Sequence, residues 1–329
     1  MQTPADWQGL PYNPISQFYR RRFGSKVYKI PVSVAQSCPN REGFRGMKTC
    51  IFCDVWGSAA YPEVRDLKLK EQIESNRDRV KNRTNAAKFL VYFQAYTNSF
   101  TKTQNLREQF EIAARCADVV GFVVGTRPDC ISDAVLDLWQ EYNEKLFLSV
   151  ELGAQSFDNA QLKWMERGHS AEKTIWAIER VKAQTSVDLG VHLMFGFPGE
   201  TEQQLIDTAQ TLNGLPIENV KLHNLHVLKN TPLADIYERG EFSPIEKAEY
   251  ADRVISFLQH LRPDIAVHRL AVLSSRSDEL IAPQWTSKKM EIYQYIIDRF
   301  RDQGAFQGQL FSRPTESRIS LPLISESLG

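Results

Sequence analysis

Residues 38–53 read CPNREGFRGMKTCIFC and place three cysteines, Cys38, Cys50 and Cys53, in the spacing C-x(11)-C-x(2)-C. Two thiols separated by two residues can reach one metal centre from a single turn of backbone, and the third returns across a glycine-containing loop. Thiolates are soft ligands that favour iron–sulfur clusters, zinc or Cu(I). Closed structural zinc sites and ordinary cluster sites use four protein ligands. Three ligands therefore predict a metal centre with one position open for chemistry.

Three interpretations of this stretch compete. Free cysteines buried in a core are common, but three thiols in so short a window, two of them in C-x-x-C, argue against this one. A structural zinc site needs a fourth ligand from elsewhere, and no second C-x-x-C or C-x-x-H arm is visible in the sequence. The third interpretation is a [4Fe–4S] cluster with one iron free for a small-molecule ligand, and the motifs further along the chain favour it.

The composition is that of an ordinary globular chain without a dominant charge. Its 329 residues are 42% hydrophobic and include 40 basic and 40 acidic side chains, enough for one large domain or two ordinary ones. A formal net charge of zero gives no overall attraction to nucleic acid or membranes, although a local patch remains compatible with it. No apolar run approaches a membrane span, and the first residues lack a secretory signal. Five cysteines, three of them clustered, argue against a disulfide framework, so we expect a cytoplasmic protein.

Strand-like and helix-like segments alternate six times between residue 26 and about residue 262. The strand-like segments are 26–34, 87–98, 118–127, 145–153, 186–196 and 219–228. Such alternation indicates β-α units and a parallel sheet. Because no Gly-x-Gly-x-x-Gly follows the first strand, we predict a partial (β/α)6 TIM-like barrel rather than a dinucleotide-binding sheet.

The barrel is predicted to occupy residues 26–275. Residues 1–25 form an N-terminal extension, and 276–329 form a helical C-terminal extension with a loosely ordered tail from about Gly304. The N-terminal extension contains the run Arg20–Arg22. Such a run is usually a solvated face, and contact with a phosphate-bearing partner is the alternative.

Alternation along the strands predicts which side chains face the barrel interior. In LFLSVELG (146–153) the apolar row should meet the helices, which directs Glu151 into the lumen. Glu151 also lies at the carboxyl end of its strand, where such barrels place their chemistry. The same rule directs inward Tyr92, Gln94, Tyr96, His192 and Met194. The alternation breaks in KLHNLHVL (221–228), so the faces of its two histidines are not assigned.

Several fragments, taken together, resemble one known family. They are the cysteine loop with Phe52 before its last cysteine, VELGAQSFD (150–158), LKWMERGHS (162–170), HLMFGFPGET (192–201) and KLHNLHVLKNTPLA (221–234). As a set they resemble the radical S-adenosylmethionine (SAM) superfamily, and within it the YhcC-type branch related to the elongator catalytic-subunit class. The usual superfamily spacing is C-x(3)-C-x(2)-C, and the longer first gap is a feature of that branch.

The resemblance implies a radical SAM enzyme. Cys38, Cys50 and Cys53 would hold a [4Fe–4S] cluster at the barrel mouth, with SAM on the open iron. Reductive cleavage of SAM would give a 5′-deoxyadenosyl radical that abstracts hydrogen from an unidentified substrate. The implied partners are an electron donor such as flavodoxin or ferredoxin and, through the elongator-like relatives, tRNA. A non-enzymatic binding module stabilised by zinc is the alternative function.

The resemblance also implies contacts with SAM. These are Glu151, Gln155, Arg167, Gly196, Pro198 and Gln94. Arg167 would pair with the methionyl carboxylate, and Glu151 or Gln155 would suit the ribose hydroxyls. The glycine- and proline-containing turn would approach adenine. Gln94 begins the segment that would bind the methionyl amine, although the Gly-Gly-Glu motif of other members is absent here.

Two cysteines lie outside the loop. Cys116 is expected to pack within a helix. Cys130 follows a predicted barrel strand near the mouth, where a buried bystander is favoured over a thiol on the substrate side.

Overall fold

The chain folds around a curved sheet of parallel strands that forms a partial barrel. The structure is a computed structural model that describes residues 7–57, 59–272 and 278–312. The strands are β1 (Val27–Val32), β2 (Lys88–Phe93), β3 (Val119–Thr126), β4 (Phe147–Gln155), β5 (Asp188–Phe195), β6 (Asn219–Asn224), β7 (Val227–Leu228), β8 (Ala266–Val267) and β9 (Leu280–Ala282). Seven of them hydrogen-bond in the order β1-β2-β3-β4-β5-β6-β8, all parallel. The other two, β7 and β9, form a small antiparallel sheet.

Helices connect successive strands and pack on the outside of the sheet. Three short 3-10 helices are present as well, at Phe44–Gly46, Pro62–Val64 and Gln284–Ser287. Ser132 and Thr201 are N-caps that accept hydrogen bonds from Val135 N and Gln204 N, respectively, which fixes where two of the helices begin. The helices are α1 (Ile15–Phe23), α2 (Leu69–Thr84), α3 (Thr103–Ala114), α4 (Asp133–Asn143), α5 (Asn159–Trp164), α6 (Ala171–Gln184), α7 (Glu202–Asn213), α8 (Pro232–Glu238), α9 (Lys247–His260) and α10 (Lys289–Asp302).

The predicted partial (β/α)6 barrel with a helical C-terminal extension is confirmed. The six predicted strands correspond to β1–β6. The sheet also contains β8, a seventh strand that the sequence did not reveal. A strand of two residues is too short to show a period, so its existence depends on pairing with β6.

The two faces of β4 separate the hydrophobic core from the lumen. Leu148, Val150 and Leu152 are fully buried in the main core against the helices. Phe147 faces inward at the start of the strand and packs against Tyr19 of α1. Helix α1 therefore covers the N-terminal end of the partial barrel, which leaves the C-terminal ends of the strands as the place for an open site.

Beyond α10, the described part of the predicted tail is held to the body of the protein. The Gln307 side chain is buried, accepts a hydrogen bond from Asn13 N at 2.9 Å and donates one to Ile265 O at 2.9 Å. Residues 313–329, the rest of the predicted loose tail, lie outside the described residues. The proposed domain limits stay predictions. Among the helices that the structure describes, none has the length and apolarity to span a bilayer.

Candidate active site

The three predicted ligand cysteines line one cavity at the C-terminal ends of the strands. This cavity has a volume of about 400 Å³, within the usual range for a ligand site. The loop that carries the cysteines is held by backbone hydrogen bonds on two sides. Ile51 N donates to Met165 O at 3.1 Å, and Leu233 N donates to Ile51 O at 2.9 Å. The loop between the second and third cysteines is thus fixed by the residue that follows α5 and by the first turn of α8.

A buried arginine fixes the other half of the cysteine loop. Arg127, at the end of β3, donates to Oδ1 of Asn40 and makes a bidentate ion pair with Asp129 at 2.8 and 2.7 Å. Asn40 in turn donates to Glu166 O at 2.8 Å. Because Arg127 is only 2% exposed, these bonds are shielded from solvent and set the position of the loop next to Cys38.

Two further arginines direct positive charge towards the sulfur atoms. Arg41 Nη2 donates to Cys53 Sγ and Arg167 Nη1 to Cys50 Sγ, each at 3.5 Å. Burial raises the pKa of Cys53 to about 11 despite the opposing charge of Arg41. A thiolate there therefore needs additional positive charge, which iron would supply.

The donor set fits a cluster held by three thiolates. The Nε atoms of Arg41 and Arg167 are buried without a hydrogen-bond partner in the part of the chain that the structure describes, and both groups can hydrogen-bond the sulfurs of an anionic cluster. Within the described ranges, no three His, Cys, Asp or Glu side chains converge closely enough to hold a single metal ion. A cubane cluster does not need such convergence, since each thiolate binds a different iron.

The predicted SAM contacts Gln94, Gln155 and Arg167 also line this cavity. Gln155 ends β4 with a φ of 72°, after a register shift between β4 and β5. A non-glycine residue in this left-handed conformation is strained, and such strain is often retained at functional sites. Gly153 allows the two side chains to approach, because a Cβ there would lie 2.9 Å from Arg167 Nη2 and 2.9 Å from Gln155 Nε2.

Glu151 faces the lumen as its position in the strand predicts, but it already has several partners. Tyr92 Oη and Lys221 Nζ each donate to Oε2 at 2.8 Å. Lys29 bonds Oε1, and His192 Nε2 bonds Oε2. Burial alone would raise the pKa of Glu151, but the charges of the two lysines outweigh it and hold the pKa well below its usual range. Glu151 is therefore an ionised carboxylate that organises the floor of the cavity.

One wall of the cavity is basic and was not predicted from the sequence. Lys221, His223, His226 and Arg269 all line it. In NVKLHN (219–224) the apolar residues alternate with Lys221 and His223, so the period of two was present up to residue 224. It is lost only at the next residues, where β6 ends. Arg269 follows the two-residue strand β8, which left no signal.

The remaining predicted residues lie outside the cavity. Gly196 is buried with a φ of 103°, and its N–H donates to Glu200 Oε2 at 2.8 Å. Pro198 is exposed. Neither is among the described residues that line the cavity, and their role near adenine stays a prediction.

The two other cysteines and the arginine run have ordinary surroundings. Cys116 is buried just after α3, and its thiol donates to Ile112 O at 3.4 Å. Cys130 is half-buried, and burial raises its pKa to about 12. Arg20–Arg22 lie exposed in the last turn of α1, at the end of the barrel opposite the cavity.

Comparisons with known proteins agree with this architecture. The family model "Radical SAM superfamily" matches residues 32–212, and the model "Radical_SAM C-terminal domain" matches residues 217–302. Protein YhcC of Escherichia coli (strain K12) is 34% identical over 295 residues, which cover 89% of this chain and 93% of that protein. A tRNA uridine(34) acetyltransferase of Methanocaldococcus infernus is 35% identical over 150 residues, 44% of this chain and 27% of that protein. The solved structure of Elp3 from Methanocaldococcus infernus with an N-terminal deletion has the same fold, with a TM-score of 0.65, 19% identity, and coverage of 86% of this chain and 64% of that one.

Proposed function

Because the chain belongs to the radical SAM superfamily, we propose that Cys38, Cys50 and Cys53 hold the cluster at which the protein cleaves SAM reductively. The protein is an enzyme of this superfamily, and its cofactors are a [4Fe–4S] cluster and SAM. When bound, they supply a 5′-deoxyadenosyl radical that takes a hydrogen atom from a substrate. The protein's own task is to orient the reactants and exclude water.

Individual side chains match the chemical groups of SAM. The guanidinium of Arg167 is suited to the methionyl carboxylate, since it forms two parallel hydrogen bonds to such a group. The amide of Gln155 can both donate to and accept from the ribose hydroxyls. The amide oxygen of Gln94 can accept from the methionyl amine. Glu151 supports this arrangement from the floor of the cavity.

The observation that carries the proposal is the convergence of three cysteines, Gln155 and Arg167 on one cavity, although they are distant in sequence. Iron and sulfide analysis of anaerobically purified protein tests the first step. We expect both elements in the wild type and their loss in Cys50→Ser. Cys116→Ser is the matched control, because this buried thiol donates to a helix carbonyl and serine can donate in the same way. Zinc without sulfide in the wild type would instead support a zinc-stabilised binding module.

The second step is tested by incubating the cluster-loaded protein with SAM and dithionite. We expect 5′-deoxyadenosine and methionine as products, and neither in Cys50→Ser. Absence of 5′-deoxyadenosine from wild-type protein with full iron and sulfide content would exclude the radical chemistry.

The same proposal includes two kinds of partner. Radical SAM enzymes need a reductant, and we propose a flavodoxin or ferredoxin as the electron donor. We propose tRNA as the substrate, supported by the partial similarity to the tRNA acetyltransferase. Near the cavity, the exposed rings of Phe44 and Phe100 lie 6.5 Å apart, with Arg45 over the Phe44 ring at 5.4 Å. Exposed aromatic rings with basic neighbours suit base stacking.

Filter binding of unfractionated tRNA tests this part. Phe44→Ala and Arg45→Gln should weaken binding, and Arg45→Gln should reduce the slope of log affinity against log salt by about one. Arg20→Gln is the control, because Arg20 lies at the opposite end of the barrel. Binding that is absent, or insensitive to salt, would argue against RNA.

A further inference from the structure

The wall of the cavity formed by β6 and the residues after β8 carries more positive charge than its acidic groups balance. Lys221 and Arg269 line this wall, and Lys29 lies behind it. Among the described residues, Glu151 is the one carboxylate within ion-pair distance of either lysine, and none lies within that distance of Arg269. Lys29, Arg269 and, when it is protonated, Lys221 thus share a single carboxylate. An uncompensated charge in a buried site is costly unless a ligand pairs with it.

The guanidinium of Arg269 retains hydrogen-bonding capacity. Its Nε donates to Leu222 O at 3.1 Å, which orients the group. Its Nη atoms have no acceptor among the described residues. Burial lowers the pKa of Arg269, although an arginine stays charged at any physiological pH. A planar guanidinium with free donors is suited to bind two oxygens of one oxyanion.

The neighbouring groups are suited to the same ligand. Lys221 Nζ donates to Glu151 and to Tyr92 Oη, each at 2.8 Å, and has a third proton for another acceptor. The neighbouring His223 adds no positive charge. His223 is half-buried, desolvation and the charge of Arg269 lower its pKa well below its usual range, and its Nδ1 bonds Asn224 O at 2.8 Å. A neutral His223 would then present Nε2 as an acceptor, which suits a hydroxyl group of the substrate and leaves the oxyanion to Arg269 and Lys221.

We propose that this wall binds an oxyanion of the substrate, either a carboxylate or a phosphate, through Arg269 and Lys221. The inference depends on the proposed function, because it concerns the substrate of that same cavity. SAM carries a sulfonium, an ammonium and a carboxylate. Its net charge is therefore positive and does not compensate the positive charge of the wall. A nucleotide would supply the phosphate, and a small acid would supply the carboxylate.

Proton uptake by Lys221 provides a second observable for binding of the oxyanion. Burial, together with the charges of Arg269 and Lys29, lowers its pKa to about 7, against the opposing effect of Glu151. An anion bound beside it would raise this pKa, so binding near pH 8 would be accompanied by proton uptake. The titratable and charged groups around Lys221 are Glu151, Tyr92, His192, Lys29, His268 and Arg269.

Anaerobic calorimetry on the cluster-loaded protein with SAM and no reductant tests the proposal without turnover. Inorganic phosphate and succinate are titrated separately, so that the two sources of the oxyanion are distinguished. We expect at least one probe to bind, with about tenfold or greater loss of affinity in Arg269→Gln and a smaller loss in Arg269→Lys, which keeps the charge but not the paired donors. The exposed Arg239→Gln serves as the matched control. The heat of binding at pH 8 should depend on the ionisation enthalpy of the buffer.

Three results would overturn the proposal. One is absence of binding by both probes. The second is equal affinity in Arg269→Gln and Arg239→Gln. The third is an Arg269→Gln protein that loses SAM affinity but keeps probe affinity, because the wall would then hold the carboxylate of SAM itself. A protein that forms 5′-deoxyadenosine but fails this test would disprove the oxyanion site and leave the radical chemistry standing.

Discussion

Replacing Gly153 by alanine tests the geometry around SAM with the smallest available change. The new Cβ would lie 2.9 Å from Arg167 Nη2 and 2.9 Å from Gln155 Nε2, whereas ordinary contacts begin at 3.4 Å. Both groups would have to move by about half an ångström, which flexible side-chain ends can do. The nearest backbone atom, Thr126 O at 3.5 Å, is already at an ordinary distance.

The size of the effect follows from the contacts of Arg167. Its Nη2 donates to Gly153 O at 2.7 Å, so the added methyl group displaces the end of the side chain that we assign to the SAM carboxylate. Loss of one charge-assisted hydrogen bond costs about 1.5–3 kcal/mol, which weakens SAM binding by about 10- to 100-fold. The free energy of unfolding should change by less than about 1 kcal/mol, because no backbone atom is crowded.

Anaerobic calorimetry with SAM and the cluster-loaded variant measures this effect. Gly214→Ala is the matched control, since Gly214 is exposed and has an ordinary φ of −84°. Unchanged SAM affinity in a Gly153→Ala protein with full iron content would refute the assignment of both Arg167 and Gln155. Loss of iron with unchanged fold would mean that Arg167 acts on the cluster rather than on SAM.

Three further substitutions test the surrounding network. Glu151→Gln leaves two largely buried lysines without their carboxylate and should lower the free energy of unfolding by about 3–5 kcal/mol; an unchanged urea midpoint would contradict this. Burial raises the pKa of Asp188 to about 6, so between about pH 4 and pH 6 the folded state keeps a proton that the unfolded state has released. The contribution of this group to stability therefore falls as pH rises from about 4 to 6. Asp188→Asn should remove that fall, and parallel pH–stability curves for variant and wild type would disprove it. Arg127→Lys loses the guanidinium that pairs with Asp129 and also donates to Asn40, and it should weaken iron retention by about 10- to 100-fold. Retention equal to that of the wild type during chelator treatment would show that this contact does not support the cluster.

The parts of the site that were predictable are those with a local signal. The spacing of the three cysteines predicts a shared metal centre without any knowledge of the fold. The alternation in β4 correctly directs Glu151 inward, because a strand must place its apolar row under the helices. Gln155, at the end of the same strand, was implied by the family resemblance and not by the alternation. These positions depend on neighbours in sequence, and the structure places all of them around one cavity.

The supporting contacts depend on distances along the chain that no local pattern records. Arg127 and Asn40 are 87 residues apart and meet only because β3 and the cysteine loop end at the same edge of the sheet. Arg269 reaches the cavity through a two-residue strand. Lys221 is the exception, since its alternation with Val220 and Leu222 was present in the sequence. The alternation of apolar and polar residues stops at residues 225–226, so the segment as a whole did not show a period of two, although residues 219–224 did.

Glu151 illustrates why an inward direction does not determine a role. A carboxylate has about four lone-pair sites, and Lys29, Tyr92, His192 and Lys221 together provide four donors or candidate donors. A ribose hydroxyl that bonded Glu151 would have to compete with these groups, two of which are cationic. Gln155 carries no charge and lies at the strand end next to the cavity, so it is the stronger candidate for the ribose. On this argument Glu151 is a positioning residue: by fixing Lys221 it determines where the cationic wall stands, and the substrate's anionic group would be placed accordingly.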